Sequence, residues 1–478
     1  MRVPPVTVLL IVSSLAAGPG AAGADTRAEA AADAKTDDVD ELVEPATPTA
    51  ASYQEDHRLS RSYLVPTLEV IGLEIIANRV SWAAGAPWAK VTFDSIGHNL
   101  SSSWVYDDDL FSVNQLGHPY GGAVLFSSAR SSGLGFWTSS IYAFVGSLAW
   151  ETLGETNQPS FNDQLTTAVG GALIGEALHR VGRAVRWGGG EEPSWSRRTL
   201  AAVIDPMGAI NRVAFGERWR RSPPPLLSAH LGAGLNVPFA GPGGPGGHLE
   251  LAVSHGLPSD PRFVPRKPFH HFNLRGELDV GAELTGTFDI RGMIVGRATG
   301  AAERRTLYGL YGTYDYWDTE GVRAGAFAVG PGVAYHRALG GRDFLEVTAV
   351  AALIPLGAAG GRSDILDARD YHYGPGGHEL LDLTVGRTGV GAVRLSGRAI
   401  QIYGKLTDDN EGNEAVVMTS LSVTRALSTH HALGVDVTYS ARSASFEDAA
   451  NNALDQAAQI RVMYAVTSDS DFAGPDSR

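Results

Sequence analysis

From residue 227 onward, apolar and polar side chains alternate with a period of two, and this restricts the possible folds more than any other feature of the chain. Between 272 and 284, Phe272, Leu274, Leu278, Val280, Ala282 and Leu284 fall on one side, and Asn273, Arg275, Glu277, Asp279 and Glu283 on the other. The pattern recurs at Leu227, Leu231, Leu235 and Val237, at Leu433, Val435, Val437 and Tyr439, and at Ile460, Val462, Tyr464 and Val466. A face this charged opposite a face this apolar suits a transmembrane antiparallel β-barrel, with lipid outside and water inside. At roughly twenty residues per strand and connection the segment holds about 12 strands, with 10 to 14 also fitting. GPGGPGG, GAAGGRSD and TDDNEGN supply turns. Tyr314, Tyr316 and Trp317 stand where an interfacial aromatic girdle would lie. On this reading Leu278→Arg blocks assembly, whereas Glu277→Arg, on the lumen side, is tolerated.

Composition agrees. The chain has 58 glycines, 15 tyrosines and 44% apolar residues, yet its mean hydropathy is near zero, at −0.06. Alternating strands produce that average, and no run after the first residues is long enough for a spanning helix. The net charge of −14 argues against nucleic-acid binding. There is no cysteine, so neither a disulfide nor a lipidated cysteine is available.

Residues 1–24 read as a signal peptide, with Arg2, an apolar core and the small-residue ending Ala22-Gly23-Ala24. Residues 25–58 read as a disordered acidic linker. Residues 59–222 read as an α-helical domain, expected in the periplasm at the barrel mouth, and residues 223–478 as the barrel. The expected location is the outer membrane of a Gram-negative cell envelope. Outer-membrane lipid and, during biogenesis, the barrel-assembly machinery are the expected partners. No cofactor or metal is expected, and no soluble partner is named by the sequence. Phe472, followed by six more residues, departs from a terminal aromatic insertion signal.

Within the helical domain, Leu68, Ile71, Ile75 and Trp82 recur at helical spacing after Pro66, while 93–115 reads as loop with a short strand. Further helices are expected from Pro119 to Gly133, over 136–155, from Asn162 or Asp163 as N-cap, and over 194–219 with a break at Pro206. Gly121, Gly122, Gly171 and Gly175 permit close helix contact.

Several short motifs punctuate this domain: D-x-F-x-x-N-Q-L-G-H-P-Y-G-G from Asp109, S-A-R-S-S-G from Ser128, S-L-A-W-E from Ser147, P-S-F-N-D from Pro159, G-G-A-L-I-G-E from Gly170 and D-P-M-G-A-I-N-R from Asp205. Together they resemble an uncharacterised family of bacterial envelope proteins, described only as a domain of unknown function. The resemblance covers roughly 95–220 and implies an architecture and candidate positions, but no reaction. Where the family often has Thr-Pro, this chain has Thr167-Ala168.

The motif residues form a candidate polar network of Asn114, His118, Arg130, Glu151, Glu155, Asn162, Asp163, Glu176 and Arg180, with Arg130 expected to pair with Glu151 or Glu155. His118 is expected to cap the helix that follows. The competing catalytic reading takes His118 as base, Glu151 or Asp163 as orienting acid, and Ser127 or Ser128 as nucleophile. Glu176-x-x-His179 lacks the second pair that a di-metal bundle needs. Asp107, Asp108 and Asp109 read as solvated loop acids. The favoured function is passive transport, binding or scaffolding at the envelope, with the helical domain as gate or docking module. The alternative is a lipid-modifying hydrolase built on His118.

Overall fold

The computed structural model describes residues 58–468, apart from 108, 188–191, 220–226, 261–262, 282, 302, 320, 362–370, 408–409 and 449–451. The expected signal peptide, nearly all of the expected linker, and Phe472 lie outside the described residues.

Twelve strands close into an antiparallel barrel: β1 Leu227–Ala240, β2 Gly246–His255, β3 Phe272–Val280, β4 Leu284–Ala301, β5 Arg304–Asp318, β6 Arg323–Gly340, β7 Asp343–Gly360, β8 Tyr371–Arg387, β9 Gly391–Thr407, β10 Asn410–Ala426, β11 His431–Phe446 and β12 Ala453–Thr467. Each strand pairs with its neighbours in sequence, and β1 closes the ring on β12 through Leu231 opposite Val466 and Leu235 opposite Val462. An even number of strands brings both ends of the barrel segment to the same rim.

Side-chain parity separates inside from outside. Arg398 on β9 lies 2.7 Å from Asp289 on β4. Arg461 on β12 meets Glu277 at 2.6 Å and Asp279 at 2.7 Å on β3. His378 on β8 is 3.0 Å from Asp315 on β5. These strands are not neighbours, so such pairs form only across the lumen. The residues between them in sequence therefore face outward, and on β1, β2, β11 and β12 they are exposed and apolar: Leu231, Leu235, Leu249, Leu251, Val435, Val437, Val462 and Tyr464. The alternation in the sequence thus corresponds to an apolar exterior around an ion-paired interior.

Eight α-helices precede the barrel among the described residues: α1 Leu64–Ala83, α2 Phe93–Ser101, α3 His118–Ser131, α4 Phe136–Ala149, α5 Phe161–Leu165, α6 Gly171–Trp187, α7 Trp195–Ile204 and α8 Pro206–Phe215. The α2 segment was expected to be loop. It is helical because Thr92 and Ser95 form a reciprocal capping box, each side chain bonding the other's backbone N–H. α5 is capped by Ser160 rather than by Asn162 or Asp163. α3 meets the start of α6 in backbone contact: a Cβ on Gly122 would fall 3.1 Å from Gly171 Cα and 1.8 Å from the carbonyl oxygen of Thr167, just before α6, whereas one on Gly121 would meet open space.

The position of this domain differs from the expectation. It packs on the outer wall of the barrel, not at its mouth. Val253, Leu274, Ile290, Tyr314, Phe327 and Leu356 form one continuous row of paired positions from β2 to β7. All face outward, and all belong to the same buried apolar cluster as Phe126, Phe136, Leu173 and Ile174 of the helices. Tyr314 and Tyr316 lie beneath the helices instead of in an exposed girdle, while Trp317, of opposite parity, is buried on the lumen side. The physical reason is the composition of this part of the wall, which offers broad aromatic and aliphatic surface where the helices bring Phe, Leu and Ile.

Candidate functional site

Three π-helical turns interrupt or abut the helices, at Val113–Gly117, Trp150–Gly154 and Thr166–Gly170. Each carries a residue into one polar cluster: Asn114 and Glu151, both from the motifs, and Thr167. An extra residue in a helical turn rotates the following side chains, and such turns often accompany functional sites. The strand-like stretch around Val105, bridged to Ser160, brings in Asp107, and the α5 N-terminus brings in Asn162 and Asp163.

Asp107 is the hub, contrary to its reading as a solvated loop acid. Its Oδ1 accepts from Asn114 Nδ2 at 2.5 Å and from Asn162 Nδ2 at 2.9 Å, and its backbone N–H donates to Asn162 Oδ1 at 3.0 Å. Asn162 also donates to Asp163 Oδ1 at 2.8 Å and accepts from the Ser160 hydroxyl at 2.8 Å. Glu151 accepts the Ser160 backbone N–H at 2.8 Å. Asn99 donates to the Glu155 carbonyl at 3.0 Å. The barrel closes the far side: Asn114 Nδ2 lies 2.9 Å from the hydroxyls of both Tyr371 and Tyr373, which face outward from β8. Tyr106 stacks on Tyr373 at 5.6 Å, and Phe111 meets Tyr371 edge-on at 5.3 Å.

His118 does not cap α3. The backbone passes from the π-turn into the helix without a break, and Gly117 occupies the capping position. Its ring turns to the cluster instead, with Nδ1 3.2 Å from the Thr167 hydroxyl and Nε2 3.6 Å from Asp163.

Burial governs the protonation of the cluster. It pushes Asp163 well up, and the nearby negative charge of Asp107 adds to this. Burial, with Glu151, Asp107 and Asp109 nearby, takes Glu155 up to about 9. Glu151 rises to about 7, mainly through burial, against the Ser160 N–H it accepts. Burial lowers His118. Near neutral pH the site thus pairs a neutral imidazole with carboxyl groups that retain protons, an arrangement able to exchange protons in either direction.

The other candidates form a separate network. Arg130 pairs with Glu176, at 2.7 Å from Nε to Oε2 and 3.2 Å from Nη2 to Oε1, and not with Glu151 or Glu155. The reason is the glycine-lined crossing of α3 on α6, which sets Arg130 beside the middle of α6. Arg180 Nε reaches Glu176 Oε1 at 2.8 Å and its Nη2 donates to the Pro268 carbonyl of the β2–β3 loop at 3.0 Å. Trp219 lies under the Arg130 guanidinium, 4.3 Å from ring centre to Cζ. Beside them Asp205 accepts the Ser127 hydroxyl and lies 3.0 Å from His179 Nδ1. The Ser128 hydroxyl bonds the Val124 carbonyl one turn back, at 3.2 Å. Ser128 and His118, proposed partners in catalysis, are therefore in different networks.

Sequence reasoning missed Asp107, Ser160, Thr167, Tyr371 and Tyr373. The tyrosines had a signal: the spacing Tyr-x-Tyr occurs twice, at 314 and 316 and at 371 and 373, and sets two phenols on one face of a strand.

Residues 103–207 match a family described as a domain of unknown function (DUF3943), a stretch that holds Asp107, Asn114, His118, Glu151 and Asp163 of one network and Arg130, Glu176 and Arg180 of the other. No curated protein matches the chain. Among solved structures, the NanC porin is similar over 50% of this chain and 99% of its own, at 8% identity and a TM-score of 0.27. The CymD monoaromatic hydrocarbon channel covers 50% of this chain and 88% of its own, at 9% identity and 0.22. The Pseudomonas putida toluene transporter TodX covers 51% and 88%, at 7% and 0.20. Similarity at this level carries no substrate to this chain.

Proposed function

We propose that the protein is an outer-membrane barrel whose lumen is a narrow, ion-paired passage for small hydrophilic solutes, and whose outer wall holds the helical domain. The observation that carries this reading is the set of ion pairs that cross the lumen between strands far apart in the ring. Besides those already described, Arg291 on β4 pairs with Asp382 on β8, and Arg275 on β3 reaches Asp436 on β11 at 4.0 Å. Polar side chains of both signs favour water and small polar solutes over apolar ones. Pairs that bridge the bore hold free flux low until they part. The apolar exterior supports insertion in a bilayer. Reconstitution into planar bilayers tests the reading. Wild-type protein should give a small conductance, and Arg398→Gln, which breaks the bridge to Asp289 and leaves Asp315 with His378 alone, should raise it. No conductance from either protein, with both correctly inserted, would overturn the reading.

A second reading, hydrolysis, is favoured by one observation: the His118, Asp163 and Thr167 side chains meet within a cluster of proton-retaining carboxyl groups. In that reading His118 is the base and Thr167, rather than Ser128, is the hydroxyl at hand. Phospholipid turnover by purified protein, lost in His118→Ala with folding intact, would support it. Absence of turnover across lipid classes would remove it.

A further inference from the structure

Helices α1 and α4 carry an apolar surface that the fold does not explain. On α1, Leu64, Leu68, Ile71, Ile75, Ile76 and Val80 are exposed. On α4, Trp137, Ile141, Phe144, Val145 and Leu148 are exposed, and that helix contains no charged residue. The two helices are adjacent: the Tyr142 hydroxyl of α4 lies 3.1 Å from Thr67 of α1 and donates to the Tyr63 carbonyl at 2.9 Å. The acids of α1 avoid this surface. Glu69 turns inward to Asn211 and Glu74 is half-buried, while Arg79 is exposed toward the C-terminal end of α1, over the Trp82 ring. A patch of this size is unusual on a water-facing domain.

We propose that the helical domain lies in the plane of the bilayer beside the barrel, with α1 and α4 against the acyl chains of the surrounding lipid. The inference rests on the outer-membrane reading above and extends it. The argument for lipid as the occupant is continuity. Helices cover Val253, Leu274 and Tyr314, while Leu251 on β2, Leu278 on β3, and Leu310 and Tyr308 on β5 are exposed on the same outward face of the same strands. The helices therefore stand where lipid would otherwise touch the wall, toward one rim: β4 runs on for eleven residues beyond Ile290, and Tyr314 lies four residues from the end of β5. Their own outward surface replaces the apolar surface they cover. None of the described helices is long and apolar enough to cross a membrane alone. A bundle packed on the barrel wall does not require one that is.

The cysteine-free chain permits a direct test by spin labelling. Nitroxides are placed at Ile75→Cys and Ile141→Cys, with Leu235→Cys on the barrel exterior and Arg387→Cys at a strand-end turn as references, in full-length protein inserted in phospholipid vesicles. Collision with oxygen, which partitions into lipid, is compared with collision with a water-soluble nickel complex. The proposal expects labels at 75 and 141 to resemble 235, with an oxygen-to-nickel ratio severalfold above that at 387. Nickel access at 75 and 141 alongside lipid-like behaviour at 235 would overturn this proposal and leave the outer-membrane reading intact. Nickel access at 235 as well would overturn both. Low collision with both reagents at 75 and 141 would indicate a protein partner, such as a second copy, and would also overturn it. If labelled variants fail to insert, unlabelled protein in brominated-lipid vesicles gives the same answer: Trp137→Phe should remove part of the quenched fluorescence, and an unchanged quenched fraction would contradict the proposal.

Discussion

Asn114, in a π-turn of the helical domain, points its side-chain amide at the hydroxyl of Tyr371, on the outer face of β8, at 2.9 Å. The contact joins a family-motif residue to the barrel wall, 257 residues further along the chain. Because Asn114 is fully buried, removing the two hydroxyls leaves Asp107 to accept one amide hydrogen and strands the other. Tyr371→Phe combined with Tyr373→Phe should destabilise docking by about 1–3 kcal/mol and make 93–117 more sensitive to limited proteolysis, with the heat-modifiable migration of the barrel unchanged. Equal protease resistance in the variant would contradict this role.

The Arg130–Glu176–Arg180 network predicts an asymmetry. Glu176 accepts from both guanidiniums, so Glu176→Ala removes a carboxylate that two buried cations share and should cost about 3–5 kcal/mol. Arg130→Ala should cost less, because Arg180 still neutralises Glu176. Thermal unfolding of the two variants checks the order, and a larger loss for Arg130→Ala would show that Arg180 does not share the load.

Stability of the helical domain should fall as pH rises from about 6.5 to about 9. Glu155, held near 9, and Glu151, near 7, keep protons in the fold that the unfolded chain releases near its ordinary value of 4.5. Raised carboxyl groups therefore favour the folded state most at low pH and lose that advantage as pH climbs through their folded values. His118 acts in the opposite sense, but only below its ordinary value of 6.5, since its folded value is lowered. Glu155→Gln should flatten the slope of melting temperature between pH 6.5 and 9. A steeper slope in that variant would contradict the assignment.

In the barrel wall, Leu278→Arg sets a charge on the apolar exterior and should impair assembly, by about 2–4 kcal/mol if it lies near the bilayer midplane. The structure revises the companion expectation. Glu277 lies 2.9 Å from Arg275 and 2.6 Å from Arg461, so Glu277→Arg would crowd three cations and is not tolerated as first expected. Glu277→Gln should be milder than either change. Heat-modifiable migration of the three variants ranks them.

The barrel was legible because the strand period is strict: a residue such as Val435 has no choice of face once its neighbours at 433 and 437 are fixed. Helix spans were legible at α1 and α3 for the same reason, with Pro66 and Pro119 marking their first turns. The docking of helices on the wall was not legible, because Ile290 and Tyr314 beneath helices look like Leu235 and Tyr464, which are exposed: lipid and protein ask the same of an outward side chain. The partner of Arg130 was not legible either. Helical spacing fixes the level of a charge along its own helix, but the choice between Glu151, Glu155 and Glu176 depends on how α3 crosses α6 at Gly122 and Gly171. Asp107 was missed because an acid beside two other acids in a loop carries no periodic signal.

The central claim, that the helical domain sits against the outside of the barrel, can be tested with one pair of engineered cysteines. A Cβ on outward-facing Gly325 would lie 3.0 Å from the Cβ of Gln115, close enough for a disulfide after a small adjustment. Gln115→Cys with Gly325→Cys should form that bond on mild oxidation, while Gln115→Cys with Ala326→Cys, one residue on and facing the lumen, should not. A bond to 326 and none to 325 would place the helices inside the barrel and contradict the account.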